Sequence, residues 1–296
     1  MDSIDIGGSL PITQFRFDMM VENPAIVMIA KRGSGKSWVC RAFIKHFEKI
    51  PVGIILSGTE RVDPFFANFF PDTFIYYKYK SEIIEKFIRR QELIKKKCID
   101  KQKEGKTIDT RAYIVMDDMF SQKGSWNKDE LILDLLCNGR HSDITYVLTM
   151  QYPIGITPEL RGNFDYIFLL ADDTYTNIKK MHDHYAGIFA TFESFRQVFL
   201  KLTENYGCMV VCKRGASANI FEKIFHYRAP KIENNDIKAG CYQFRKFHEE
   251  NFNKNWYEDM REKEAFNFDE FAMKKKKDKS TIKVKLEGDS RNKYYR

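Results

Sequence analysis

Short, uniformly apolar runs alternate along this chain with longer stretches in which apolar residues recur at helical spacing. The first run, Ala25-Ile-Val-Met-Ile-Ala30, contains no polar residue. A run of that kind reads as a strand covered on both faces, since a half-exposed strand would alternate. Comparable runs predict strands at residues 52–56, 73–79, 113–116, 144–149, 166–170 and 208–212. Helical spacing separates them. One helix is expected from Ser37 to Ile50, and a long amphipathic one from Ser81 to Glu104. The second places Ile84, Phe87, Ile88 and Ile94 on one face, and Gly105 ends it. A third runs through Leu131, Leu135 and Leu136, with Asn127 as its N-cap and Gly139 as its stop. Two more precede the strand at 208–212. Apolar strands alternating with helices predict an α/β fold, a mostly parallel central sheet flanked by helices.

Composition changes this picture only at the C-terminus. The 296 residues are 43% hydrophobic and 15% aromatic, enough for a substantial packed core. The net charge is +8, but residues 272–296 hold ten Lys or Arg against three Asp or Glu. That surplus of seven leaves the first 271 residues at about +1. The chain therefore divides into a main domain over 1–230, a helical extension over 231–271 and a basic, flexible tail over 272–296. The run Lys274-Lys-Lys-Lys277 is open to three readings: a solvated terminus, a contact to phosphate backbones, or a targeting signal. Six cysteines show neither a CxxC pair nor a metal-ligand spacing, so they read as free thiols. His182 and His184, two apart on a helix, point to different faces and do not make a metal site. The N-terminus lacks a basic segment followed by an apolar one, and no apolar window is long enough to span a membrane.

The chemistry begins at the end of the first strand. Ala30-Lys31-Arg32-Gly33-Ser34-Gly35-Lys36-Ser37 follows a strand and opens a helix. In that setting the glycines let backbone amides wrap phosphates, and the helix N-terminus adds partial positive charge. Lys36 would reach the β- and γ-phosphates of ATP, and Ser37 would hold Mg2+. Ala30 stands where the usual motif has glycine, which predicts a slightly strained turn. The strand ending at Met116 runs into Asp117-Asp118. Asp117 would hold Mg2+ through water, and Asp118 would polarise the attacking water as general base. Gln151, closing the strand at 144–149, could hydrogen-bond both the γ-phosphate and that water. Arg140 and Arg161 are candidates for stabilising transition-state charge, each also readable as a surface ion-pair partner.

Together these pieces resemble the genome-packaging ATPases of large nucleocytoplasmic DNA viruses, in the FtsK/HerA group of P-loop ATPases. The resemblance rests on Ile26 to Ser37, on Ile114-Val-Met-Asp-Asp-Met119, on Gly139-Arg-His to Gln151 and on Leu160-Arg-Gly-Asn-Phe-Asp165, and covers roughly residues 15–229. It implies a sheet order of 5-1-4-3-2, with Gln151 ending the strand between the P-loop strand and the Asp117 strand. It also implies a homo-oligomeric ring of five or six subunits that moves double-stranded DNA into a preformed capsid. The partners would be DNA and a capsid or portal-site protein, and the setting host cytoplasm at virus assembly sites, with the virion as a second location. A GTPase would need Asn-Lys-x-Asp late in the sheet, whereas Asn127-Lys-Asp-Glu130 ends in Glu and comes too early. A small-molecule kinase would need neither Asp118 nor Gln151. A non-catalytic capsid or DNA-binding protein would not need to keep Gly35-Lys36-Ser37 with Asp117-Asp118.

Overall fold

A computed structural model describes residues 11–119, 123–253 and 255. Met1–Asn251 forms one unit and Phe252–Arg296 a second. The basic tail expected from residue 272, with its lysine run, lies outside the described residues.

In chain order the elements are β1 (Ala25–Ile29), α1 (Lys36–His46), β2 (Val52–Ser57), β3 (Ile75–Tyr76), α2 (Ser81–Lys103) and β4 (Ala112–Asp117). Then come α3 (Lys123–Trp126), α4 (Glu130–Asn138), β5 (Ile144–Met150), α5 (Pro158–Arg161), β6 (Tyr166–Leu170), α6 (Tyr175–Tyr185) and α7 (Phe192–Leu202). The unit closes with β7 (Gly207–Cys212), α8 (Ile220–Lys223), β8 (Ile224–Arg228) and α9 (Tyr242–Asn251).

Among the described residues one sheet runs in the order β3-β2-β4-β5-β1-β6-β7-β8. Counted alone, β6-β1-β5-β4-β2 follow the expected 5-1-4-3-2, with β5 between the P-loop strand β1 and the Asp117 strand β4. The full order departs from that expectation by three strands. The short parallel β3 extends one edge, and antiparallel β7 and β8 extend the other. Because β1, β2, β4, β5 and β6 are parallel, their C-terminal ends share one rim of the sheet.

The uniform apolarity of the strands follows from cover on both faces. Val27, Ile29, Ile54, Leu56, Ile114 and Ile167 face Ile84 and Phe87 of α2, Leu135 of α4, Met181 of α6 and Phe195 of α7. The alternate residues Ile26, Met28, Ile55, Val115 and Phe168 face Val39 and Phe43 of α1 and Phe244 of α9. In α2, Ile84 and Phe87 are buried while Ile88 and Ile94 are half-buried. Gly105 (φ +73°) stops this helix: its N–H bonds to Gln102 and the Lys106 N–H reaches back to the Lys101 carbonyl at 2.9 Å.

Three expectations need correction. The strand expected over 73–79 shrinks to Ile75–Tyr76, because Asp72–Phe74 forms a 3-10 turn and Phe74 stacks on Phe244 of α9 at 4.0 Å instead. The helix expected to reach Ile50 ends at His46 and tightens into a 3-10 turn at Phe47–Lys49. The N-cap of α4 is Asp129, not Asn127: its carboxylate accepts the Leu131 N–H at 2.9 Å and the Tyr79 hydroxyl at 2.6 Å. Burial pushes the Asp129 carboxyl up, but these bonds and one from Ser81 outweigh it and hold its pKa below the usual value. The stability Asp129 contributes is therefore present above the ordinary carboxylate pKa and lost as pH falls through its lower folded one. Asp129→Ala is expected to cost about 1 kcal/mol at neutral pH. Urea-unfolding midpoints should show that deficit shrinking below roughly pH 4.

Candidate active site

Strand register builds the site. Ser57, Asp117 and Thr149 are cross-strand neighbours at the C-terminal ends of β2, β4 and β5. The Thr149 hydroxyl donates to Asp117 Oδ1 at 2.6 Å, and the Ser57 hydroxyl donates to Oδ2 at 3.4 Å. Asp117 is thus a buried carboxylate held from both flanks. One strand further along, the Ala30 N–H donates to the Met150 carbonyl at 2.9 Å, fixing the start of the phosphate loop against the end of β5.

The loop turns on its glycines. Gly33 (φ +77°) and Gly35 (φ +101°) carry the left-handed backbone, which only glycine adopts freely. Ala30, by contrast, is buried in the core and does not carry left-handed backbone. The Ser34 hydroxyl donates to the Lys31 carbonyl at 2.6 Å, and Lys31 pairs with Asp173 beyond β6. Arg32 and Ser37 are exposed.

Lys36, the first residue of α1, points into the site. Its Nζ lies 3.0 Å from Asp117 and 4.0 Å from Asp118. Burial works to lower the ammonium's pKa, but the two carboxylates prevail and raise it above the ordinary lysine value. The Asp118 backbone is left-handed (φ +49°), and its N–H donates to the Thr149 carbonyl at 3.3 Å. Asp and Asn tolerate that conformation better than longer side chains, which accounts for Asp rather than Glu here. The Gln151 side-chain N–H donates to Asp118 Oδ2. Lys36, Asp117, Asp118 and Gln151 are therefore one contact network.

Glu60 is a second buried carboxylate beyond β2. Its Oε1 accepts the Phe65 and Ala67 N–H groups at 3.0 and 2.7 Å, which braces its own loop.

Neither candidate arginine joins this network. Arg140 precedes β5, whose seven residues carry the chain about 20 Å before Gln151. It lies 3.9 Å from Asp165, which Arg214 also holds at 3.1 Å, on the opposite rim of the sheet. Arg161 stacks over Tyr185 at 5.9 Å. It also lies close enough to Lys213, next to Asp165, to help burial lower that lysine's pKa. His182 contacts Asp183 and the Phe189 carbonyl, and no group of metal-ligating residues occurs among the described residues.

Ser57, Thr149 and Tyr206, which lies beside Gly35, are at the site without being among the residues expected there. Thr149 had a signal, a hydroxyl two residues before Gln151 at the end of an apolar run. Ser57 had a similar signal, a hydroxyl closing the apolar run at 52–56, whereas Tyr206 had none.

Fold and site define a P-loop ATPase with paired acids and a strand-terminal glutamine. The model of the Poxvirus A32 protein family matches residues 12–181, and the chain belongs to that family. This agrees with the resemblance to genome-packaging ATPases of large DNA viruses. The chain is 40% identical over 275 residues to an uncharacterized protein of Acanthamoeba polyphaga mimivirus, covering 93% of this chain and 95% of that one. It is similar to the conjugation coupling protein TcpA of pCW3, with a TM-score of 0.51, 13% identity and coverage of 73% of this chain and 62% of that chain. That likeness shows the fold alone. The genome packaging NTPase of Sulfolobus turreted icosahedral virus 2, in complex with ATP-gammaS, gives a TM-score of 0.48 at 16% identity, over 65% of this chain and 93% of that chain. No helix among the described residues is long and apolar enough to cross a membrane.

Proposed function

We infer that this ATPase is the motor that drives double-stranded DNA into a preformed viral capsid. The observation that carries the reading is the contact network at the β4 and β5 exits. Lys36 reaches both acids there, and Gln151 holds the second. In a member of the Poxvirus A32 protein family, we read that network as the hydrolytic end of a packaging machine.

Each residue has a task. The amides of residues 31–37 wrap the phosphates, and Lys36 exchanges its contact with Asp117 for the β- and γ-oxygens. Asp118 takes a proton from the attacking water while Gln151 fixes the orientation of its carboxylate. The donor set suits Mg2+, since a hydroxyl and a carboxylate are hard oxygen ligands. Ser37 is exposed and available to it, whereas both Asp117 oxygens already accept hydrogen bonds and would meet the ion through water. When bound, the ion neutralises charge on the transferring phosphoryl group.

Five or six subunits in a ring would bring Arg140 of one copy toward the nucleotide of the next, which its place on the far rim favours. A capsid or portal-site protein completes the assembly, at virus assembly sites in host cytoplasm and in the virion.

A motor that travels along varied sequence grips phosphates, so DNA binding should be sequence-independent and salt-sensitive. One candidate source of that grip is the end of α2 and its exit loop, where Lys95, Lys96, Lys97, Lys101, Lys103 and Lys106 cluster. Lys95, Lys101, Lys103 and Lys106 each pair with a nearby carboxylate. The tail beyond residue 271 is assigned the role of a tether. Phosphate release should therefore favour ATP over GTP and rise with double-stranded DNA at low salt. Deleting residues 274–296 should raise the DNA concentration needed while leaving the stimulation itself. Absence of stimulation in both full-length and truncated protein would sink the translocase reading.

A further inference from the structure

Tyr206 has no part in the hydrolytic network, yet it is held at the phosphate loop by an unusual piece of backbone. Asn205 (φ +50°) and Tyr206 (φ +61°) are consecutive non-glycine residues in the left-handed region, a costly arrangement for two L side chains. The next residue, Gly207, has no room for a side chain, since a Cβ there would lie 2.3 Å from the Leu202 carbonyl. The chain is thus pressed into this turn as α7 hands over to β7. The product is a tyrosine that is 66% exposed and adds little to the core. It lies against the loop: a Cβ at Gly35 would lie 3.4 Å from Tyr206 Cβ and 3.5 Å from Cδ1.

Sheet order says what that ring faces. The phosphate loop leaves β1. The acids leave β4, two strands away across β5, so the γ end of a bound triphosphate lies on that side. Tyr206 enters β7, two strands away across β6 on the other side. A triphosphate threaded through the loop from the acids therefore sends its sugar and base out toward Tyr206. We propose that Tyr206 is the base-binding residue of the nucleotide site, its ring stacking on the face of the purine. This rests on the ATPase reading and adds the subsite that the phosphate loop cannot supply.

Stacking on an aromatic ring depends on a π face and not on a base's hydrogen-bonding edge. The test compares binding of ATP with that of inorganic tripolyphosphate, which has the same phosphate chain and no base, by calorimetry. Tyr206→Ala is expected to weaken ATP about 5- to 100-fold and to leave tripolyphosphate unchanged. Tyr206→Phe should bind ATP as the parent does. The ring is exposed, so both variants should keep the parental circular dichroism and unfolding midpoint. Equal loss of both ligands in Tyr206→Ala would overturn the proposal, because the ring would then be a prop for the loop. Undiminished ATP binding would overturn it too. A parent that binds neither ligand would overturn the ATPase reading beneath it.

Discussion

Asp118→Asn is expected to leave ATP bound while hydrolysis falls by about 10²- to 10⁴-fold, the usual worth of a positioned general base. The change is conservative in every respect but basicity. Asparagine tolerates the left-handed backbone (φ +49°) as aspartate does, and its amide oxygen can still accept the Gln151 N–H. Asp117 keeps its bonds from Thr149 and Ser57 and its contact with Lys36. Lys36→Ala is expected to behave differently, because the role proposed for Lys36 at the phosphates adds to its pairing with Asp117 and Asp118. Without it ATP binding should weaken and turnover should drop at least 10²-fold. Two nearly buried carboxylates also lose their cation. That should lower apo stability by about 1–3 kcal/mol, less than for a fully dry pair because Lys36 keeps 20% of its side chain exposed. Nucleotide binding, phosphate release and urea unfolding, measured on both variants, separate the two roles. Near-parental hydrolysis by Asp118→Asn would remove Asp118 as the base.

The strand-and-helix alternation was readable because a parallel sheet covered on both faces needs long apolar runs. The phosphate loop was readable because it requires glycine at fixed places. What escaped depends on distance along the chain. β8, Ile224–Arg228, mixes buried Ile224, Phe225 and Tyr227 with half-buried His226 and exposed Arg228 and joins the sheet edge beside β7, so no uniform apolar run marked it. Asp129 displaced Asn127 as the helix cap because Tyr79, fifty residues earlier, donates to it. Ser57 and Thr149 flank Asp117 through register, which pairs residues sixty and thirty-two positions away. Tyr206 meets Gly35 through the crossing of α7 back to the rim, which no local pattern encodes. The arginines show the opposite limit. Sequence named Arg140 and Arg161 as candidates, and only the structure places Arg140 on the far rim beside Asp165 and Arg161 over Tyr185.

That placement gives the remaining large effect. Arg140→Ala should be inactive alone, by about 10³-fold or more for an arginine acting on the transferring phosphoryl group. Misfolding is a poor explanation for such a loss. The Arg140 side chain is 49% exposed and stands 3.9 Å from Asp165. Asp165 is held independently by Arg214 at 3.1 Å and by the Ala25 N–H at 2.9 Å. The fold should therefore lose less than about 1 kcal/mol. Within one subunit Arg140 is separated from Gln151 by the length of β5, so in the proposed ring it would act on a neighbour's nucleotide. Two inactive proteins can then complement each other. Arg140→Ala subunits keep Lys36, and Lys36→Ala subunits keep Arg140. In a head-to-tail ring mixed one to one, about a quarter of the interfaces would carry both residues intact. Co-assembled mixtures should recover phosphate release that neither variant shows alone. Mixtures that form rings yet stay as inactive as their components would return Arg140 to a surface partner of Asp165.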